Sequence, residues 1–169
     1  LQDSTWDAPL PVKTLEQLLL CYDYRTHLES IIAYQAALHA TEFEKLHIEN
    51  TYRKDCSKFS MGGAELMESD FAFHIVIAQA THNPFYYQAL SLLAQQLTSS
   101  FAGMSSKTSQ KVSTSFIKAK DAEHAAIVHA ILTGNPEFAQ AEMKRHLYSS
   151  TERVKSLFSS SAVSQQKEP

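Results

Sequence analysis

The stretch Ala64-Glu65-Leu66-Met67-Glu68-Ser69-Asp70-Phe71-Ala72-Phe73-His74-Ile75-Val76-Ile77-Ala78-Gln79-Ala80-Thr81 decides the architecture. Leu66, Phe73, Ile77 and Ala80 return at steps that add up to one face of an α-helix. Gly62-Gly63 breaks the chain before it, and His82-Asn83-Pro84 restarts the backbone after it. Asn is a favoured N-cap and Pro a favoured first helical residue, so the next helix opens at Pro84. The stripe also contains an anomaly. Asp70 and His74 are one helical turn apart and lie on the apolar line, so a carboxylate and an imidazole point toward the core. A buried carboxylate needs a partner that neutralises it.

The same period extends in both directions. Upstream, Leu15, Leu18, Leu19, Tyr22, Leu28, Ile31, Ile32 and Ala36 predict a helix from Thr14 to Ala40, with Thr14 as N-cap. A more polar helix follows over about Thr41 to Phe59, with Phe43, Leu46 and Tyr52 on its apolar side. Downstream, the helix from Pro84 runs to about Phe101, and the Ser/Thr/Lys-rich segment Gly103 to Thr114 reads as a loop. A helix over Ser115 to Thr133 is stopped by Gly134. Asn135-Pro136 then repeats the cap-and-proline device and opens a helix to Phe158. Residues 159–169 read as a flexible tail.

The composition agrees. In 169 residues there are four glycines and five prolines, too few turn-formers for an all-β sandwich or barrel. The fold class is therefore all-α, a bundle of about six helices. With 44% hydrophobic residues and a net charge of −3, the chain is neither a disordered tract nor a basic nucleic-acid binder. It has no stretch of about 18 apolar residues, so no membrane span is expected. Leu1 to Trp6 lacks the basic start and apolar run of a signal peptide. Cys21 and Cys56 are too few for a disulfide framework and read as free thiols of a cytoplasmic protein.

The eight histidines are the compositional oddity. His124 heads the stripe His124, Ile127, Val128, Ile131. His146 sits in the stripe Ala139, Met143, His146/Leu147, Ser150, Val154, Leu157. Three helices thus turn Asp70, His74, His124 and His146 toward the core. One carboxylate and three imidazoles suit a divalent metal, zinc first, with nickel, manganese or iron as alternatives. An ion that accepts five or six ligands keeps one or two places for water or a small anion. The same set can also close tetrahedrally around a structural zinc. Each histidine has a plainer reading too, as a satisfied core residue or as one half of a local Asp–His hydrogen bond. His27, His39, His47, His82 and His129 fall on polar or boundary positions and read as incidental.

Other chemistries find little support. A ferritin-like di-iron bundle needs two Glu-x-x-His pairs, and Glu44-Lys45-Leu46-His47 has no second. There is no His-Asp dipeptide, Gly-rich phosphate loop, Gly-x-Ser-x-Gly or His-Glu-x-x-His. No nucleophile or base can be named, so the chain reads as a non-enzyme. The rivals are a metal-dependent enzyme using the same four ligands and a structural zinc bundle that acts as an interaction module.

Asp70-Phe71-Ala72-Phe73-His74, continuing through Ala78 to Asn83, resembles the D-x-x-F-H … A … N signature of the FadR-type C-terminal (FCD) domain of GntR transcription regulators. His124 to Ile131 with Gly134 is similar to that domain's H-x-x-I-x-x-A-I-x-x-G-D stretch. Ala139, Met143, His146 and Leu147 match its A-x-x-x-M-x-x-H-L ending. Arg25-Thr26-His27-Leu28-Glu29 resembles its R-x-x-L-E helix, followed by Ala33, Ala36, Ala37 and Ala40. The resemblance covers residues 14–158, with the motifs in order. Asn135 stands where the family has Asp, and both cap a helix.

The resemblance implies an all-α, antiparallel bundle of about six to seven helices that binds an effector and dimerises, with a central cavity for a small carboxylate. By motif position it implies metal ligands Asp70, His74, His124 and His146, the same four that the stripes select. It implies Arg25 as the effector-binding cation, and a guanidinium can donate two parallel hydrogen bonds to a carboxylate. Residues 1–13 then read as the remnant of a linker to a winged helix-turn-helix that this sequence lacks. DNA would be bound only through that domain, and the working unit would be a homodimer.

Overall fold

The computed structural model describes residue 12 and residues 14–56, 63–105 and 113–164; side chains are described throughout these except at 55–56, 63–66, 101–105 and 157–164. Six helices account for nearly all of it: α1 (Leu15–His39), α2 (Glu42–Cys56), α3 (Gly63–Gln79), α4 (Pro84–Ser105), α5 (Thr114–Leu132) and α6 (Pro136–Ser164). There is no strand among the described residues. The all-α bundle expected from the periodicity is the fold. Among the described residues, no helix is long and apolar enough to cross a membrane.

The helix starts follow from local chemistry. Thr14 and Gln17 form a reciprocal capping box at α1, each side chain receiving the other's backbone N–H. Pro84 and Pro136 are the first residues of α4 and α6. The preceding asparagines cap them, Asn83 Oδ1 accepting from Phe85 N at 3.0 Å and Asn135 Oδ1 from Phe138 N at 3.1 Å. Both corners also need a left-handed residue. His82 has φ 57° before α4, and Gly134 has φ 63° between α5 and α6. Such short corners make consecutive helices antiparallel neighbours.

α1 is the organising element. It packs most extensively on α6 and also touches α3, α4 and α5, while α2 lies against α3 and α5. Leu18, Ile32, Phe73, Ile77, Leu90, Leu97, Ile127, Ile131, Met143 and Leu147 fill the core. Of the stripes on α3, α5 and α6, Phe73, Ile77, Ile127, Val128, Ile131, Ala139, Met143, Leu147 and Val154 are buried as their spacing predicts, while the side chains of Leu66 and Leu157 lie outside those described.

α2 differs from its sequence reading. Phe43 is 79% and Leu46 54% exposed, whereas Ile48 is fully buried. Tyr52 is half-buried and meets Phe73 with ring centroids 6.4 Å apart. The buried face of α2 is therefore Ile48 and Tyr52, one turn apart. Ile31 on α1 is likewise exposed. Two helices run longer than their apolar patterns. α4 reaches Ser105 and α6 reaches Ser164, so residues 159–164, read as tail, are helical. The linker reading of residues 1–11 and 13, the loop reading of 106–112 and the tail reading of 165–169 fall outside the described residues. The Cys21 thiol is half-buried and burial raises its pKa.

Candidate metal centre

Four helices meet around a small set of polar side chains inside this core. α3 brings Asp70 and, one turn on, His74. α5 brings Lys120 and, one turn on, His124. α6 brings His146, and α1 brings Arg25 and Glu29, again one turn apart. His74, His124, His146, Arg25 and Glu29 are each no more than 2% exposed.

One ligand atom from each of Asp70, His74, His124 and His146 can be chosen so that all lie within 4.8 Å of one another. His124 Nε2 is 3.4 Å from His146 Nε2 and 3.3 Å from Asp70 Oδ1. His74 Nε2 is 3.7 Å from Asp70 Oδ2. Donors about 2.0–2.2 Å from a zinc ion stand about 3–3.5 Å from one another, so these spacings suit one ion. The rings are braced by stacking. Phe73 lies on His124 with centroids 4.3 Å apart, and His74 on His146 with centroids 5.2 Å apart.

Two buried carboxylates set the orientation of two rings. Glu123 Oε2 is 2.8 Å from His146 Nδ1, and Glu29 Oε2 is 2.5 Å from His74 Nδ1. Burial alone would raise both carboxyls. The Arg25 and His74 neighbours pull Glu29 down to about 2, and His146 and Arg153 pull Glu123 down to about 2. An ionised carboxylate only accepts, so the His146 Nδ1 facing Glu123 carries the proton. The lone pair of His146 then sits on Nε2, turned toward His124. His74 Nε2 is buried without a hydrogen-bond partner. Burial holds His146 neutral, with a pKa of about 3 despite the opposing pull of Glu123. Neutral imidazoles oriented by outer carboxylates are the form in which histidine ligates metal. The residues present therefore fit a divalent ion.

Asp70 is ionised as well. Burial pushes its carboxyl up, but the Lys120 ammonium, then His124 and His74, hold it well below the ordinary value. Arg25 lies beside this set, its guanidinium carbon 4.5 Å from the Phe71 ring centre and 5.0 Å from that of Tyr22. Its Nε donates to Glu29 Oε1 at 2.6 Å, while its Nη2 is buried with no hydrogen-bond partner.

Residues 21–149 match the family model of the FCD domain. The chain belongs to the FCD-domain family. The resemblance carried by the Asp70–His74, His124–Gly134 and Ala139–Leu147 motifs is thereby borne out. No curated protein matches the sequence. Among solved structures, this FCD domain is similar to the Streptococcus agalactiae GntR, with a TM-score of 0.66 and 20% identity, over 83% of this chain and 61% of that one. That likeness shows the fold, and the chain spans less than two thirds of that relative.

The structure brings together the four residues that the stripes of the FCD domain selected, with Arg25 nearby. Four further residues escaped the sequence reading as site residues: Glu29, Lys120, Glu123 and Arg153. Arg153 clamps Glu123 from outside, with Nη1 and Nη2 at 2.9 and 2.8 Å from its two oxygens. The missed signal was positional. Glu29 sits between Tyr22 and Ile32 on the α1 stripe, and Lys120 between Ile117 and His124 on the α5 stripe. The five histidines read as incidental are all exposed. Of these, His82 pairs with Glu44 at 2.9 Å and ties the α3–α4 corner to α2.

Proposed function

We propose that this FCD domain is the ligand-sensing part of a GntR/FadR-type transcriptional regulator. It binds a divalent metal through Asp70, His74, His124 and His146, with zinc first for a set of three imidazoles and one carboxylate. It takes a small organic acid at that centre and signals to a DNA-binding domain outside residues 1–169. The working unit is a cytoplasmic homodimer, and the activity is binding without turnover.

One observation carries the reading: four convergent donors, two of whose rings are oriented by ionised carboxylates, beside a buried Arg25 with an unused Nη2. A bound metal ion supplies positive charge and an open position for an oxygen of the ligand. The protein supplies the rest. Glu29 and Glu123 hold the imidazoles of His74 and His146. Glu29 also fixes Arg25 through Nε, which leaves Nη2 to receive a carboxylate. Phe71 and Tyr22 flank the guanidinium and keep it in place. An acid held by residues of α1, α3, α5 and α6 favours one packing of these helices over another. Only such differential affinity shifts a conformational equilibrium.

The test is a thermal-shift screen of small carboxylic acids on the metal-loaded chain, with and without chelator. Stabilisation by an acid that vanishes with chelator, and in Arg25→Ala, is the expected result. If no acid stabilises the loaded protein, the sensing reading fails.

A further inference from the structure

One face of α1 takes no part in the core or in the metal centre. Leu20, Tyr24, His27, Ile31, Tyr34 and Leu38 follow one another at alternating steps of four and three. That spacing draws a narrow line along a helix, the seam along which a second helix packs. The line runs opposite the buried face, where Tyr22, Glu29 and Ala36 sit. Leu20 is 67%, Tyr24 51%, Ile31 42% and Leu38 51% exposed. Among the described residues, α1 shows more large apolar side chains than any other helix. His27 is exposed, with its Nδ1 2.9 Å from Asp23 O of its own helix, and Tyr34 is half-buried.

Two observations say what covers this line. The first is its order, which is the same from both ends except at the middle pair. A second α1 laid antiparallel across a two-fold axis sets Leu20 against Leu38, Tyr24 against Tyr34 and His27 against Ile31. A two-fold interface requires such self-complementarity, residue i meeting j while j meets i. A parallel pairing would instead stack each residue on its own copy, His27 on His27 included. The second observation is area. The four most exposed side chains leave on the order of 400 Å² open on one copy, or about 800 Å² on two. With His27, Tyr34 and the flanks of the seam added, the pair approaches the roughly 1,200 Å² of the smaller stable interfaces.

We propose that this line is the contact between two copies of the chain, packed through antiparallel α1 helices. The inference rests on the homodimer reading above and gives it a face and a polarity. The axis falls level with Glu29, which points the other way from the same helix, holds Arg25 and faces His74. The contact between copies and the metal centre thus share one helix, back to back. A shift of α1 on occupation of the centre changes that contact directly. The N-termini of the two α1 helices leave the pair at opposite ends. With 25 residues in α1 they stand about 36 Å apart. That is close to the spacing of successive half-sites on one face of DNA.

Sedimentation of the chain, together with oxidative cross-linking, tests this. Wild type should be a dimer. Ile31→Glu puts a charge in the middle of the seam and should weaken the dimer about 30-fold or more. Leu92→Glu, at an exposed apolar residue of α4, should leave it unchanged. With Cys21 and Cys56 replaced by serine, a mixture of Tyr24→Cys and Tyr34→Cys chains should give a covalent dimer under mild oxidation. Neither variant should cross-link alone. If Ile31→Glu does not fold, the cysteine pair decides. A dimer intact in Ile31→Glu overturns the α1 seam. Cross-linking of either cysteine variant with itself, or none in the mixture, overturns the antiparallel polarity. A wild type that stays monomeric overturns this inference and the homodimer reading, and leaves the metal and acid claims standing.

Discussion

Glu123 shows how much of the centre depends on atoms that never touch a ligand. It receives His146 Nδ1 on one side and both terminal nitrogens of Arg153 on the other. Glu123→Gln can keep the shape and a hydrogen bond while removing the charge that fixes the tautomer. Zinc affinity measured by chelator competition should then fall about 10–100-fold. An unchanged affinity would mean that Glu123 only packs. Removing the ligands themselves is harsher. His124→Ala and His146→Ala should each be purified with little or no metal, and full metal content in both would sink the assignment. The same residues give the metal-free chain its pH response. The folded-state pKa values are about 3 for His146 and about 2 for Glu29 and Glu123, all below their ordinary values. Each group stabilises the fold above its unfolded pKa, and the stabilisation is lost as pH falls toward the folded value. The urea midpoint of metal-free protein should decline from about pH 6.5 as the unfolded His146 gains its proton. It should decline more steeply below about pH 4.5, where the two glutamates join. A flat midpoint between pH 7 and 5 would show that His146 is not held neutral. The ligands were legible because a polar residue on an apolar stripe stands out. Glu29, Glu123 and Lys120 were not, because a charged residue next to a stripe reads as solvated until its partner from another helix is seen.

At the scale of elements, legibility followed one-sided burial. α3, α5 and α6 each hide one face, so their apolar residues keep the helical period and their stripes could be read directly. α2 shows Phe43 and Leu46 to the outside and buries Ile48, so its pattern misled. Helix ends were legible where a cap announced them, at Thr14, Asn83 and Asn135. They were misjudged at Ser105 and Ser164, where the helix outruns its apolar pattern. The α5–α6 corner offers a clean test of one such end. Gly134 has φ +63°, and a Cβ added there would meet only the Ala37 carbonyl oxygen, at 3.8 Å, an ordinary contact. The cost of Gly134→Ala is then that of the left-handed backbone alone, about 1 kcal/mol. For a chain of this size that lowers the thermal midpoint by about 2–4 °C. A fall several times larger would mean that the corner carries a contact beyond its backbone geometry.

At the scale of the whole molecule, the centre ties α1, α3, α5 and α6 together by polar contacts as well as by packing. Ligands from α3, α5 and α6 surround it, and Glu29 joins α1 to it through His74. α2 and α4 supply none of these residues. Metal binding should therefore tighten the molecule unevenly. In native-state hydrogen exchange, amides of α3, α5 and α6 near the four ligands should gain protection on zinc addition, with the Arg25–Glu29 turn of α1 following. The amides of α2 should change least. The global effect obeys mass action. Once zinc exceeds its dissociation constant, each tenfold rise in free zinc adds about 1.4 kcal/mol, or about 3–5 °C in the thermal midpoint for a chain of this size. Uniform protection across all six helices would place the coupling in the packed core instead of the centre. No protection at all, with zinc bound, would mean that the four side chains are already held in place without it. In that case metal would add charge for a ligand to meet without reshaping the bundle, and the ligand alone would have to move the helices.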